Sequence, residues 1–309
     1  MRRSPLWVLP WWVLCAAWAV DMRLDSPGIL EGGDGVQHYQ IARYAWQHPE
    51  LFLHHWGKPL FTLFASPFAQ LGHWGMALFN AVCFVLTAWA ADGLLRRAGL
   101  MARLLFAPML LLTPVYGTMV LAGMTEVFFG LLTMIVLRLL WAERHVAAVV
   151  VASFMPFARP EYVAFVPLVL IWVAYKRQWR ALPFILTGHV VYGIAGLFVF
   201  SDLLRAFHQD PYTGAADIYG SGEPLHFAEH LKEVFGTSLT WSAGAAVAAG
   251  TWLGVRDAGT RPTLRLLFVV GVLPCLAIIA VHSLLWWQGW KGSLGLLRVM
   301  ATAAPLLAL

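Results

Sequence analysis

Six charged residues sit beside breaks in apolar runs: Asp34, Lys58, Glu126, Arg159, Glu161 and Arg298. A carboxylate at a membrane surface beside aromatic rings is partly desolvated, which raises its basicity and suits it to accept a proton. Asp34 is placed for that role; equally, it reads as a helix N-cap, with Gln37 three residues on completing a capping box. Arg159 and Glu161 share the tip of a proline-broken hairpin, where a near-membrane ion pair is functional by default, although a pair that merely holds the hairpin explains both residues. Glu126 follows Gly123, Met124 and Thr125. It either lines the same cavity as Asp34 or is a solvated acid favoured by the helix dipole, and the second reading is preferred. His38, His48, His54 and His55 share a loop with Asp34 and Glu50, yet no metal-binding spacing such as H-E-x-x-H occurs, so unligated histidines are the expectation.

The elements that must position these residues are membrane helices. Of 309 residues, 60% are hydrophobic and 12% charged, against about a quarter charged in a soluble domain. That balance excludes soluble nucleotide-binding folds. The net charge of +5 is not a nucleic-acid signal, because the basic residues fall in short loops on one side. Cys15, Cys83 and Cys275 lie in apolar runs without close spacing and read as packing residues.

Apolar stretches near spanning length cover residues 4–20, 74–91, 182–200, 238–255 and 266–282, judged against about 20 residues for a hydrocarbon core. The runs 104–141 and 146–175 each make two spans, broken at Pro114 and Gly117 and around Pro156, Arg159, Pro160 and Glu161. With a final segment at 294–309, the expectation is an all-α polytopic membrane protein of about ten transmembrane helices, forming a single module over 1–309. That last segment ends without a polar flank, the pattern of a chain truncated from a longer gene. Arg2 and Arg3, an apolar core and the Ala17–Ala19 pattern also fit a signal peptide; the four Trp in that core favour an uncleaved first span.

With the N-terminus cytoplasmic, Arg2, Arg3, Arg96, Arg97, Arg103, Arg138, Arg144, Lys176, Arg177, Arg180, Arg256, Arg261 and Arg265 all fall inside. The outer face receives all of the 16 acids except Asp92, Glu143 and Asp257. In the first outer loop, Val36, Tyr39, Arg43 and Trp46 recur at helical spacing and predict an interfacial helix. The apolar stretch after Lys58 ends at Leu71, too short to span, and predicts a second membrane-lying element. A second outer loop, 201–237, holds Pro211, Tyr212 and Gly214 before a helix expected at 225–234.

The series Asp34, His38, Tyr39, Ile41, Ala42, Arg43, followed by Lys58, Pro59 and Leu60, resembles polytopic glycosyltransferases of the GT-C type, in particular bacterial relatives of protein mannosyltransferases and aminoarabinose transferases. Those enzymes carry an Asp-Glu pair after the first span and a Lys-Pro-Pro-Leu motif before the second. Here Gly35 replaces the second acid and Leu60 one proline. The resemblance covers residues 25–92, with echoes at Thr125, Glu126 and Arg159–Glu161.

It implies an inverting, hexosyl- or mannosyl-type transfer of sugar from a polyprenyl-phosphate donor to a glycan, lipid or protein acceptor, on the periplasmic side of the inner membrane. Asp34 would be the catalytic base. Lys58, Arg159 and Arg298 would hold the departing lipid phosphate, with snorkelling the plain alternative for Lys58. His38, Tyr39, Glu126 and Glu161 complete the expected substrate-binding set. No cofactor is expected to be required, a divalent metal being the alternative. The rival readings are a transporter or flippase, disfavoured by the absence of internal repeats, and a non-catalytic scaffold of an envelope-polysaccharide pathway, which the loss of the second acid at Gly35 fits.

Overall fold

Every element of the computed structural model is helical among the residues it describes, 8–25, 30–96, 100–209 and 219–309. Arg2, Arg3, Arg97, Pro211, Tyr212 and Gly214 lie outside those residues. The chain opens with α1 (Val8–Asp25), α2 (Gly32–Tyr44) and α3 (Pro59–Ala69), then α4 (His73–Leu95), α5 (Leu100–Leu111), α6 (Pro114–Ala122) and α7 (Thr125–Trp141). It continues through α8 (His145–Phe154), α9 (Tyr162–Tyr175) and α10 (Thr187–Phe200). The rest comprises α11 (Arg205–His208), α12 (His226–Glu229), α13 (Leu231–Arg256), α14 (Arg261–Leu267), α15 (Leu273–Gln288) and α16 (Ala304–Leu307).

Among the described residues, three helices are long and apolar enough to cross a membrane: His73–Leu95, Trp179–Phe200 and Arg261–Gln288. The pair α5 and α6, meeting at 70°, is a fourth if counted as one broken span. The expected ten spans are therefore not all of spanning length; those of the second hairpin, for instance, are short apolar helices, His145–Phe157 and Tyr162–Tyr175. The last apolar segment is not a straight span either. It forms a 3-10 helix, Leu297–Ala303, followed by α16, and Pro305 packs against Gly130 of α7. The left-handed turns at Leu294 and Gly295 before it, and a proline without an N–H inside it, account for the irregular backbone.

The core centres on α4, which packs against α1 and α7. Ala77, Ala81, Ala88, Ala90 and Ala91 on α4 are buried, and such small residues let neighbouring backbones approach. Asn80, fully buried on α4, donates from Nδ2 to the carbonyls of Met119 (3.0 Å) and Met124 (2.8 Å). It thus satisfies the backbone on both sides of the α6–α7 break at Gly123; of the two expected breaks, Pro114 opens α6 at the 70° bend after α5, whereas Gly117 lies within α6.

Gly123 is left-handed (φ 69°), and a Cβ there would overlap the Cβ and backbone of Met76. Gly123→Ala is accordingly expected to destabilise the protein by about 2–4 kcal/mol, combining overpacking with a left-handed alanine. Thermal unfolding in detergent checks this; an unchanged midpoint would mean that α4 yields at Met76.

The basic loops gather at one end of the bundle. Lys176 and Glu143 approach to 3.9 Å, Arg265 donates to the Tyr175 hydroxyl at 2.8 Å, and Asp92 accepts from Arg96 (2.8 Å) and Arg103 (2.5 Å). The starts of α7 and α9 lie at the other end of those helices, about 20–25 Å away at 1.5 Å per residue.

Candidate functional site

The ends of α2 and α3 are tied to each other. Arg43 donates to the carbonyls of Ala69 (3.1 Å) and Gln70 (2.7 Å), and Gln70 donates back to the Arg43 carbonyl at 3.0 Å. Clamped at their C-terminal ends, the two helices run side by side and bring their N-terminal ends, with Asp34 and Lys58, to one cavity. The hairpin between α8 and α9 delivers Arg159 and Glu161 to it, and the 3-10 helix delivers Arg298. The cavity measures about 770 Å³.

Four helix N-termini meet here: Asp34 lies in the first turn of α2, Lys58 precedes α3, Glu126 lies in the first turn of α7, and Glu161 is the N-cap residue of α9. Partial positive charge at these ends favours anions, both the three acids and an anionic ligand.

The ion pairs form a continuous chain. Arg159 is bidentate to Glu161 (Nε–Oε2 2.9 Å, Nη2–Oε1 2.7 Å), and its Nη1 reaches Glu126 Oε1 (2.8 Å) and Thr125 Oγ1 (2.5 Å). Glu126 Oε1 also lies 3.8 Å from Arg298 Nε. Arg298 donates from Nη1 to Glu31 at 2.8 Å and from Nη2 to Asp34. His282 of α15 sits 3.6 Å from the far end of the chain, Glu161 Oε1. Glu126 and Glu161 have no exposed side-chain surface, and carboxylates at that depth persist only when paired.

Two expectations change. Asp34 is not an N-cap: α2 begins at Gly32, its N-cap residue is Glu31 in a left-handed conformation (φ 58°) with no side-chain cap, and the Asp34 carboxylate turns to Arg298 instead. Glu126 is not a solvated helix-start acid but a buried bridge between two guanidiniums. The helix dipole acts on it, and the arginines decide where it sits. Tyr39 is set apart from the rest of the set; its ring packs on His73 with centroids 3.8 Å apart and does not line the cavity.

Lys58 is buried and lines the cavity, with Nζ 3.4 Å from the His55 carbonyl and 5.7 Å from the Trp56 ring centroid. Its backbone is left-handed (φ 60°, ψ 93°) directly before Pro59, a conformation that costs on the order of 1–3 kcal/mol and persists where the surroundings over-determine it. Burial, followed by the charge of Arg159, pushes the ammonium down to about 7. His38, packed edge-on to Phe61, is pushed by burial down to about 3 and is neutral.

Thr125, an echo of the motif, and Tyr219, in the second outer loop, belong to the site as well, together with Glu31, His282, Lys291 and Ser293, which were given no role from the sequence. His282 had a usable signal: it is an ionisable residue at the end of an otherwise apolar run. Among the described residues no group of three or more His, Cys, Asp or Glu is placed to hold a metal ion, and Glu31, Asp34, Glu126 and Glu161 each face a guanidinium.

No family model matches the chain, and no curated protein matches it. Among solved structures the chain is similar to ArnT from Cupriavidus metallidurans bound to undecaprenyl phosphate, at 16% sequence identity and a TM-score of 0.67 over 99% of this chain. It spans 60% of the length of that protein. The chain therefore has an ArnT-like fold, which is the fold that the series from Asp34 to Leu60 led us to expect.

Proposed function

We propose that the chain is a membrane glycosyltransferase that moves a sugar from a polyprenyl-phosphate donor to an acceptor on the outer face of the membrane. The observation that carries this reading is the meeting of Asp34, Lys58, Arg159, Glu161 and Arg298, from four separate segments, at one cavity of an ArnT-like fold, with Glu126 buried behind its wall between Arg159 and Arg298. The undecaprenyl phosphate bound in that neighbour is the kind of carrier the cavity suits.

In this reading Asp34 accepts the acceptor's proton as the anomeric carbon is attacked, with Arg298 fixing the direction of the carboxylate. Lys58 takes the leaving lipid phosphate, assisted by the helix N-termini around it. Arg159, whose N–H groups donate to Glu161 and Thr125 and whose charge pairs with Glu126, positions the hairpin and contributes charge. The gathering of basic loops at the opposite end supports an outward-facing site.

The test is transfer of labelled sugar from undecaprenyl-phosphate sugars by the purified protein, with and without EDTA. No transfer to any acceptor from an envelope extract would sink the reading. Loss with EDTA and recovery with magnesium would reassign the acids as metal ligands. Sidedness follows from labelling cysteines placed at Glu50 and Arg177: only the first should react from outside.

Lys58 adds a pH dependence. A glycosyl phosphodiester keeps one negative charge across the neutral range, and His38 stays neutral there. The ammonium is charged below about 7 and lost above it, so donor affinity is expected to fall as pH rises from 6 to 9. Equal donor affinity at both ends of that range would remove Lys58 from the phosphate site.

A further inference from the structure

We propose that Ser293, with His38 and Tyr219, forms the subsite for the hydroxylated ring of the donor, an inference that rests on the glycosyl-donor reading above. All three residues line the cavity. Ser293 Oγ and His38 Nδ1 are buried and have no hydrogen-bond partner among the described residues. Buried polar atoms are almost always paired, so two orphans at one cavity call for a ligand that pairs them. Both groups are neutral, since burial keeps the His38 imidazole uncharged. Neutral donors and acceptors match sugar hydroxyls, whereas a phosphate is matched by the cationic groups Lys58, Arg159 and Arg298 on the same cavity.

The backbone around Ser293 supports the assignment. Ser293 lies between two consecutive tight turns, with left-handed φ at Lys291 (56°) and Gly292 (61°) and again at Leu294 (53°) and Gly295 (61°). Left-handed Lys and Leu are unfavourable and are kept here by the packing around them. His226 Nε2 lies 2.9 Å from the Gly295 carbonyl oxygen, and the Gly222 N–H donates to the Trp286 carbonyl at 3.1 Å. Trp286 fills the space beside Gly222 and Gly295, while the Tyr219 ring lies against Gly292. The loop is thus a braced platform that holds Ser293 and an aromatic ring in the cavity wall. An apolar ring face with a few placed polar groups is how a pocket reads a sugar's C–H face and its hydroxyls together.

The test measures binding of undecaprenyl phosphate, and of its mannosyl and aminoarabinosyl forms, to the full chain in nanodiscs. The wild type is expected to bind at least one glycosyl form more tightly than the bare phosphate. Ser293→Ala should weaken that form by about 2–10-fold, one neutral hydrogen bond, and leave the bare phosphate unchanged. Ser293→Thr should retain most of the affinity because it keeps the hydroxyl. Tyr219→Leu should weaken the glycosyl form, and Tyr219→Phe should not. Equal effects of Ser293→Ala on both ligands, or none on either, would overturn the subsite. Wild-type binding of bare phosphate with no gain from a sugar would overturn it while sparing the lipid-phosphate reading. Binding of neither ligand would remove both.

Discussion

Asp34→Asn is expected to abolish sugar transfer while the protein stays folded and still binds donor. The amide is the same size, and its oxygen can still accept from Arg298, which also keeps Glu31 at 2.8 Å. It cannot take up a proton. Loss of a positioned general base lowers a rate by about 10²–10⁴-fold, so single-turnover transfer should fall by that factor with little change in thermal midpoint. Because Asp34 makes no cap in this structure, the substitution separates proton transfer from a structural role more cleanly than the sequence alone promised. Full activity in Asp34→Asn would leave Asp34 as an orienting partner of Arg298 and remove it from the chemistry.

Arg159→Met is expected to be among the most damaging single changes to stability. It leaves Glu126 and Glu161, both without exposed side-chain surface, facing each other's charge with Arg298 at 3.8 Å from Glu126, His282 at 3.6 Å from Glu161 and the more distant charge of Lys58 to offset it. Breaking a buried pair by removing one partner costs about 3–5 kcal/mol. Arg159→Lys should fall between the wild type and Arg159→Met, because an ammonium cannot be bidentate to Glu161 while reaching Glu126 and Thr125. The triple change Arg159→Met, Glu126→Gln, Glu161→Gln removes the isolated charges and should recover much of the midpoint, without activity. Thermal unfolding of the three variants checks this ordering; a triple variant less stable than Arg159→Met would show that the network is worth more than its desolvation.

The charged members of the site were legible because this sequence has so few of them: in a chain with 12% charged residues, Asp34, Glu126, Arg159, Glu161 and Arg298 at helix breaks are conspicuous. Both elements of the first outer loop were legible too, from the spacing of Val36, Tyr39 and Arg43 and the shortness of the run after Lys58. Pairing was not. Nothing local tells Glu126 that its partners are Arg159, 33 residues on, and Arg298, and the preference for a solvated acid followed from having no base nearby in sequence. Tyr39 followed the motif and not the geometry. Ser293 and Tyr219 carry no compositional signal, since their significance lies in left-handed turns and unpaired atoms. The last apolar run forms a 3-10 helix and a short α-helix instead of one long helix, a difference that hydropathy misses because it counts residues and does not see Pro305 or the turn at Gly295.

The bond between Arg298 and the acids at Glu31 and Asp34 joins residues 267 and 264 positions apart. A chain inserted into a membrane from its N-terminus therefore exposes Glu31, Asp34 and Glu126 long before the guanidinium that organises them has been synthesised. Contacts of such long range form late because loop closure must precede them. Completion of these ion pairs then waits on the segment around Arg298, and a shorter nascent chain carries the carboxylates without their geometry.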